Sequence, residues 1–268
     1  MKINYEKIAN EIRKKVLFMI HSAQSSHIGS NLSCVDILTV LYFGIMKKAD
    51  KFILSKGWAA ASVYAVLAKR GYFPEKKLLG YGKVDKKGKS TTPFMGLISH
   101  KVKGVTCSTG SMGHGLPIGI GTALAEKLNN KKGLVFVLLS DGEMDCGTTW
   151  ESAMFASHHK LDNLVAIIDY NKLQAFGKTN EVLNLEPLKG KWESFGWQTK
   201  EVDGHNFNEI KMALADIPFK KQKPSLVIAH TTKGKGVSFM ENEIGWHYWS
   251  INKENYEKAI KELEKNIS

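Results

Sequence analysis

Leu134-Val135-Phe136-Val137-Leu138-Leu139-Ser140-Asp141-Gly142-Glu143 is the stretch that decides the fold. Six apolar residues run without alternation and then stop at a polar, glycine-bearing turn. A strand that is apolar on both faces suits a parallel sheet covered on both sides. Working outward, Leu164–Ile168 and Leu226–Ala229 repeat the pattern. Helical spacing lies between and around these runs, at 147–160, 187–195 and 206–215. Upstream, 5–20, 33–46 and 57–70 read as helices, with Ser33 as an N-cap, Asp36 as its capping-box partner, and Gly71 as a C-cap. Lys253–Glu264 is a surface helix laced with Lys/Glu pairs. The repeated βαβ pattern predicts an α/β fold, a doubly wound, mostly parallel sheet with helices on both faces.

In such a sheet a ligand sits beyond the carboxyl ends of the strands. Those ends are Ser140-Asp141-Gly142-Glu143, Asp169-Tyr170-Asn171, and His230-Thr231-Thr232-Lys233-Gly234-Lys235-Gly236. Asp141 and Asn171 stand thirty positions apart in the chain. They converge if their strands are neighbours, about 4.8 Å apart. One carboxylate and one amide oxygen are a thin set of hard donors. That set suits Mg²⁺ that also takes oxygens from a bound diphosphate. Gly142 lets the backbone approach, and a helix starting near Gly147 aims its N-terminus at the phosphates. An Asp-Gly turn alone is commonplace.

Composition limits the alternatives. The 268 residues are 43% hydrophobic and 24% charged, which predicts a packed core and not disorder. No apolar run is long enough to span a bilayer, and the first twenty residues have no signal-peptide core. The expectation is a cytoplasmic protein without membrane association. The net charge is +12, but Arg13 and Arg70 are the only arginines and the lysines are dispersed. That pattern suits solvated faces better than nucleic-acid readout. Three widely spaced cysteines without a CxxC exclude a disulfide framework or a structural zinc site.

The motifs together resemble the N-terminal, diphosphate-binding half of transketolase. Asp141-Gly142 followed by Asn171 is similar to that family's thiamine diphosphate and magnesium motif. Ser26-His27-Ile28-Gly29 resembles its Ser-Gly-His-Pro-Gly segment, and Phe52-Ile53-Leu54-Ser55-Lys56-Gly57 its Leu-Ser-Lys-Gly-His segment. Ser108-Thr109-Gly110-Ser111-Met112-Gly113-His114-Gly115 resembles Thr-Thr-Gly-Pro-Leu-Gly-Gln-Gly. Lys233-Gly234-Lys235-Gly236 with Trp246-His247 is similar to the Lys-Gly-x-Gly…His ending. The five segments keep their order over roughly residues 10–250.

The resemblance implies thiamine diphosphate as cofactor, with Mg²⁺ or another divalent cation such as Ca²⁺. It implies Asp141, Asn171 and the Leu173 carbonyl as metal ligands. Gly110, Met112, Gly113, Asp141, Gly142, Glu143, Asn171 and His247 would bind the cofactor. His27, His100 and His247 would be catalytic, around the thiazolium carbon and the substrate hydroxyls. His158-His159 and His205 match nothing in the family and read as ordinary histidines. The implied reaction moves a two-carbon ketol unit from a ketose to an aldose, with the difficult chemistry carried by the cofactor. The whole chain, 1–268, would be one diphosphate-binding domain. The pyrimidine-binding domain would lie on a separate C-terminal subunit, in a heterotetramer of two of each chain that is inactive when either is missing.

Three marked departures and one milder one stand in the motifs. Trp58 replaces a family histidine, Cys146 replaces a glutamate, and His114 replaces a glutamine; Ser140 for glycine is milder, and Glu151 is kept. The run Asp169-Tyr170-Asn171-Lys172-Leu173-Gln174-Ala175-Phe176-Gly177 through Glu186-Pro187-Leu188 resembles split transketolase-like proteins, some of which serve polysaccharide biosynthesis. With Trp58 unable to shuttle a proton, that resemblance implies as an alternative a nucleotide-linked or otherwise modified sugar as acceptor. Three other readings compete. A dinucleotide-binding dehydrogenase fails because Gly119-Ile120-Gly121 is followed by Leu124 and lacks a preceding strand. Deoxyxylulose-phosphate synthases carry both halves in a longer chain, and 2-oxoacid dehydrogenase α-subunits fit the His27 and His247 segments less well. A non-catalytic homologue that binds cofactor or partner is the alternative from another class.

Overall fold

Residues 3–265 are described by a computed structural model. Its five strands are β1 (Lys51–Leu54), β2 (Val135–Ser140), β3 (Leu164–Tyr170), β4 (Gln198–Asp203) and β5 (Ser225–His230). They form one sheet in the order β1-β2-β3-β5-β4, and every pairing is parallel. The helices are α1 (Tyr5–Ala23), α2 (Ile28–Ser33), α3 (Val35–Val40), α4 (Ala60–Lys69), α5 (Gly115–Leu128), α6 (Gly147–His158), α7 (Thr179–Val182), α8 (Leu188–Ser194), α9 (Phe207–Ala215) and α10 (Lys253–Lys265). The chain gathers into two compact units. One holds residues 1–44, 57–108 and 231–268; the other holds 45–56 and 109–230.

The second unit contains the sheet. All seven residues of β3 are buried, as a central strand covered on both faces requires. The three apolar runs of the sequence become β2, β3 and β5, and the first two are neighbours. Ser140 is paired in register with Asp169, so Asp141 and Asn171 both leave the sheet at the same edge. Two strands were not expected. β1 is four residues long and opens with a lysine, too short to show a pattern. β4 reads Gln-Thr-Lys-Glu-Val-Asp and buries only Val202. It lies at the sheet's edge, where one covered position suffices. α5 was hidden by Pro117 and its glycines, residues that weaken a helical reading. Gly119 allows α5 to lie on the sheet: a Cβ there would stand 2.5 Å from Val137 Cγ2.

The first unit is helical. α1 is capped by Asn4, whose side chain accepts from the Lys7 amide, and it buries Ile12, Val16, Met19 and Ile20. α10 docks on α1, where Asn10 Nδ2 donates to the Leu263 carbonyl. It is therefore a packed element as well as a charged surface. The expected helix over 33–46 is present as α3 running directly into a π-helical turn over Leu41–Ile45, with α2 before it across a break at Cys34. Ser33 does not cap, because its hydroxyl donates to the Ser30 carbonyl inside α2. Asp36 is drawn instead to Arg13, 2.7 Å away and also buried. Gly71, at φ +81, follows α4 as a C-cap glycine does.

Candidate active site

Two constellations hold the expected site residues, one in each unit. The first grows from the carboxyl edge of the sheet. Asp141 begins a short 3-10 turn after β2 and is almost fully buried. Its Oδ1 accepts from the Gly142 amide at 2.8 Å, and its Oδ2 from the Lys172 amide at 2.6 Å. Lys172 sits in the left-handed region at φ +64 and turns the chain after β3. Asn171 is buried, and its Oδ1 accepts from the Leu173 amide at 3.1 Å. Asp141, Asn171 and Leu173 are thus brought onto one pair of linked turns. The donors they offer are carboxylate, amide and carbonyl oxygens.

Glu143 is the post that supports this edge. It has no exposed surface. Oε1 accepts from the Gly113 amide and the Ser55 hydroxyl, and Oε2 from the Ser140 amide. Burial pushes the Glu143 carboxyl up, while the Ser55, Ser140 and Gly113 hydrogen bonds and Lys56 pull it back. One side chain therefore ties the ends of β1 and β2 to the glycine-rich segment. Gly113 has φ +79, and a Cβ there would stand 2.5 Å from Thr148 Oγ1 and 2.9 Å from Cys146 Cβ. Only glycine lets this backbone lie so close. Met112 is half-exposed beside Gly142, whose Cβ would stand 3.7 Å from Met112 Sδ. Gly110 precedes them, partly exposed. Burial, Glu143 and Asp145 push the Cys146 thiol up, so it remains neutral.

Three residues support this edge without a role assigned from the sequence: Lys56, Asp169 and Gln174, which lie in the quoted segments. Lys56, after β1, reaches across β2 to Asp169 on β3, and both are buried. Gln174 Nε2 donates to Asp145 at 2.9 Å, bracing the loop after β3. The acid at the end of the apolar run of β3 was the one available signal, since a buried carboxylate needs a partner.

The second constellation lies in the helical unit. His27 caps the start of α2 at φ +68, and its amide donates to the His247 carbonyl at 3.0 Å. The two imidazoles stand 4.6 Å apart, centroid to centroid. Lys233, buried, lies 3.0 Å from His247 Nδ1. Gly29 makes room for it: a Cβ there would stand 3.1 Å from Lys233 Cγ. Trp58 stacks on His27 at 4.5 Å with an interplanar angle of 8°. His27 is lowered to about 4, first by burial and then by Lys233. His100 is not brought into this pair. It is exposed, with its amide and Nδ1 both against Ser108 Oγ, at 2.9 and 2.8 Å.

The fit to a metal and a diphosphate can be judged from the donors. Among the described residues, no three His, Cys, Asp or Glu side chains gather as a metal cage. One carboxylate with amide and carbonyl oxygens fits a hard divalent cation that completes its shell with phosphate oxygens. The glycine at 113, closed to any Cβ, fits a backbone cradle for that phosphate.

A parallel sheet whose strand ends carry hard oxygens beside a glycine cradle defines an α/β protein of the diphosphate-binding class. Residues 4–266 match the family model described as transketolase, thiamine diphosphate binding domain. The chain belongs to the transketolase family and represents its thiamine diphosphate-binding domain. It is 38% identical to one of the subunits of the apulose-4-phosphate transketolase of Phocaeicola vulgatus, over 95% of this chain and 92% of that one. It is 37% identical to a 6-deoxy-6-sulfo-D-fructose transketolase subunit of a Clostridium species, over 98% and 97%. The crystal structure of Campylobacter jejuni transketolase superposes with a TM-score of 0.89 at 29% identity. That match covers 98% of this chain but 43% of the other, so the chain spans less than half of a single-chain transketolase.

Proposed function

We propose that this chain is the N-terminal subunit of a two-chain transketolase dependent on thiamine diphosphate and Mg²⁺, or another divalent cation such as Ca²⁺. The observation that carries the reading is the linked turn of Asp141, Asn171 and Leu173 at adjacent strand ends beside the Gly113 cradle. The end-to-end likeness to two separate transketolase subunits supports a divided enzyme. The whole chain then serves as one diphosphate-binding domain. A C-terminal subunit supplies the pyrimidine-binding domain, and two of each chain make a heterotetramer. Among the described residues no helix is long and apolar enough to cross a membrane. With three dispersed cysteines and no disulfide among the described residues, the protein suits the cytoplasm.

In this reading Asp141, Asn171 and the Leu173 carbonyl hold the cation. Gly110, Met112, Gly113 and Gly142 line the diphosphate, and Glu143 keeps their turns in place. Thiamine diphosphate, when bound, supplies the nucleophilic carbon and the electron sink for breaking the ketose carbon–carbon bond beside the carbonyl. His27 and His247 take and return the protons of substrate hydroxyls. His27 suits a base or acceptor, being neutral across the physiological range. His247 also contacts the cofactor, and exposed His100 binds a substrate hydroxyl. The donor is a ketose and the acceptor an aldose. Trp58 favours a second reading, in which the acceptor is a modified or nucleotide-linked sugar.

Calorimetry of thiamine diphosphate with Mg²⁺ tests the proposal, with the C-terminal partner chain present or absent. Binding should depend on the cation, strengthen with the partner, and weaken by about 100-fold or more in Asp141→Ala, as loss of a ligand implies. Absence of binding in every combination would leave a non-catalytic homologue. Equal turnover of xylulose 5-phosphate with ribose 5-phosphate would refute the modified-sugar reading.

A further inference from the structure

Trp58 is a large side chain left 45% exposed, so burial does not explain it. It is nonetheless held in a defined pose. Its indole lies parallel to the His27 imidazole at 4.5 Å. The backbones that carry the two rings are clamped by one side chain. Asn31 on α2 is wholly buried, and its Nδ2 donates to the His27 carbonyl at 2.9 Å and to the Trp58 carbonyl at 3.0 Å. Its Oδ1 accepts from the Ser62 amide on α4 at 3.0 Å, which fixes the amide's orientation. His27 Nδ1 is 2.7 Å from Ser26 Oγ, while Nε2 has no hydrogen bond to the described residues. The ring therefore has one nitrogen tied, one face covered and one nitrogen open.

We propose that Trp58 is a positioning residue for His27: the clamped indole holds the imidazole in one plane and one tautomer, with Nε2 available to substrate. The inference rests on the reading of His27 as a proton-handling residue. A histidine at position 58 would itself handle protons. A tryptophan cannot, so the work of both falls to His27. The indole supports this in two ways. It removes water from one imidazole face, and it prevents rotation out of the plane. The titratable groups that face His27 are Lys233 and His247, on the segment after β5 and the turn at Ile244–His247. Lys233 repels an imidazolium, and burial acts in the same direction. An indole face attracts cations, but that attraction is modest where water still reaches the ring.

The test is a nitrogen NMR titration of histidine-labelled protein, with His27 assigned through His27→Gln. It compares the natural chain with Trp58→Leu, which removes the stack, and Trp58→Phe, which retains an aromatic plane. Circular dichroism checks that each variant folds. The natural chain and Trp58→Phe should show a single His27 tautomer that stays neutral to below pH 5. Trp58→Leu should show mixed tautomers and a midpoint raised by about one unit or more. With the partner present, kcat should fall about tenfold in Trp58→Leu, cofactor affinity unchanged, and recover in Trp58→Phe, as expected when a proton-transfer group loses its alignment. A His27 titration and tautomer identical in the natural chain and Trp58→Leu would overturn the proposal. So would an unchanged kcat alongside an altered titration. Failure of the functional reading shows separately, as a natural chain that neither binds cofactor nor turns over; the NMR comparison alone then decides.

Discussion

At the residue scale, the site is built from side chains whose polar atoms are already committed to protein partners. Glu143 uses both oxygens on the chain and so orders the turns that approach the ligand. Asn31 spends its donors on two carbonyls and its acceptor on an amide. His27 carries a measurable consequence. Its midpoint is about 4 in the folded chain and near 6.5 when unfolded. Between those values the unfolded state binds a proton that the native state does not. Stability should therefore fall as pH drops from 6.5 toward 4. Urea midpoints across that window should decline less steeply in His27→Asn, and parallel curves would show that His27 ionises freely in the native state.

At the element scale, three consecutive strand ends are fastened to one another. Lys56 after β1 pairs with Asp169 on β3, passing β2, while Ser55 and Gly113 meet Glu143. These contacts brace the edge that bears Asp141 and Asn171. Lys56→Met would take its buried cationic partner from the Asp169 carboxylate. It should cost about 3–5 kcal/mol in urea unfolding, the usual effect of removing one partner of a buried pair. A double replacement, Lys56→Met with Asp169→Leu, should recover much of that loss, since neither charge of the pair then remains buried. A loss under about 1 kcal/mol in the single variant would mean that water reaches the pair.

At the scale of the whole molecule, the chain is less than half the length of the single-chain Campylobacter transketolase it superposes on, yet matches separate subunits from end to end. A divided enzyme should be silent until reassembled. The purified chain should show no ketol transfer, and turnover should appear on titration with the C-terminal partner and saturate at one partner per chain. Turnover by the chain alone would place every required group within these residues.

The parallel sheet, and the placing of Asp141 and Asn171 at its carboxyl edge, were legible in the sequence. Continuous apolar runs ending in Asp141 and Asn171 are local signals, and burial on both faces leaves no other use for them. The sequence marked His27, His247 and the glycine-rich segment only through its resemblance to the transketolase family. It did not mark β4, whose polar residues pair only because β5 lies beside them, or α5, whose glycines hide a helix until the sheet presses against it. Packing settled that Asn31 clamps the backbones of His27 and Trp58, that Ser33 donates to the Ser30 carbonyl, and that Lys56 answers Asp169. Those choices depend on which buried polar groups meet after packing. Each must find a partner there, and sequence spacing does not say which one.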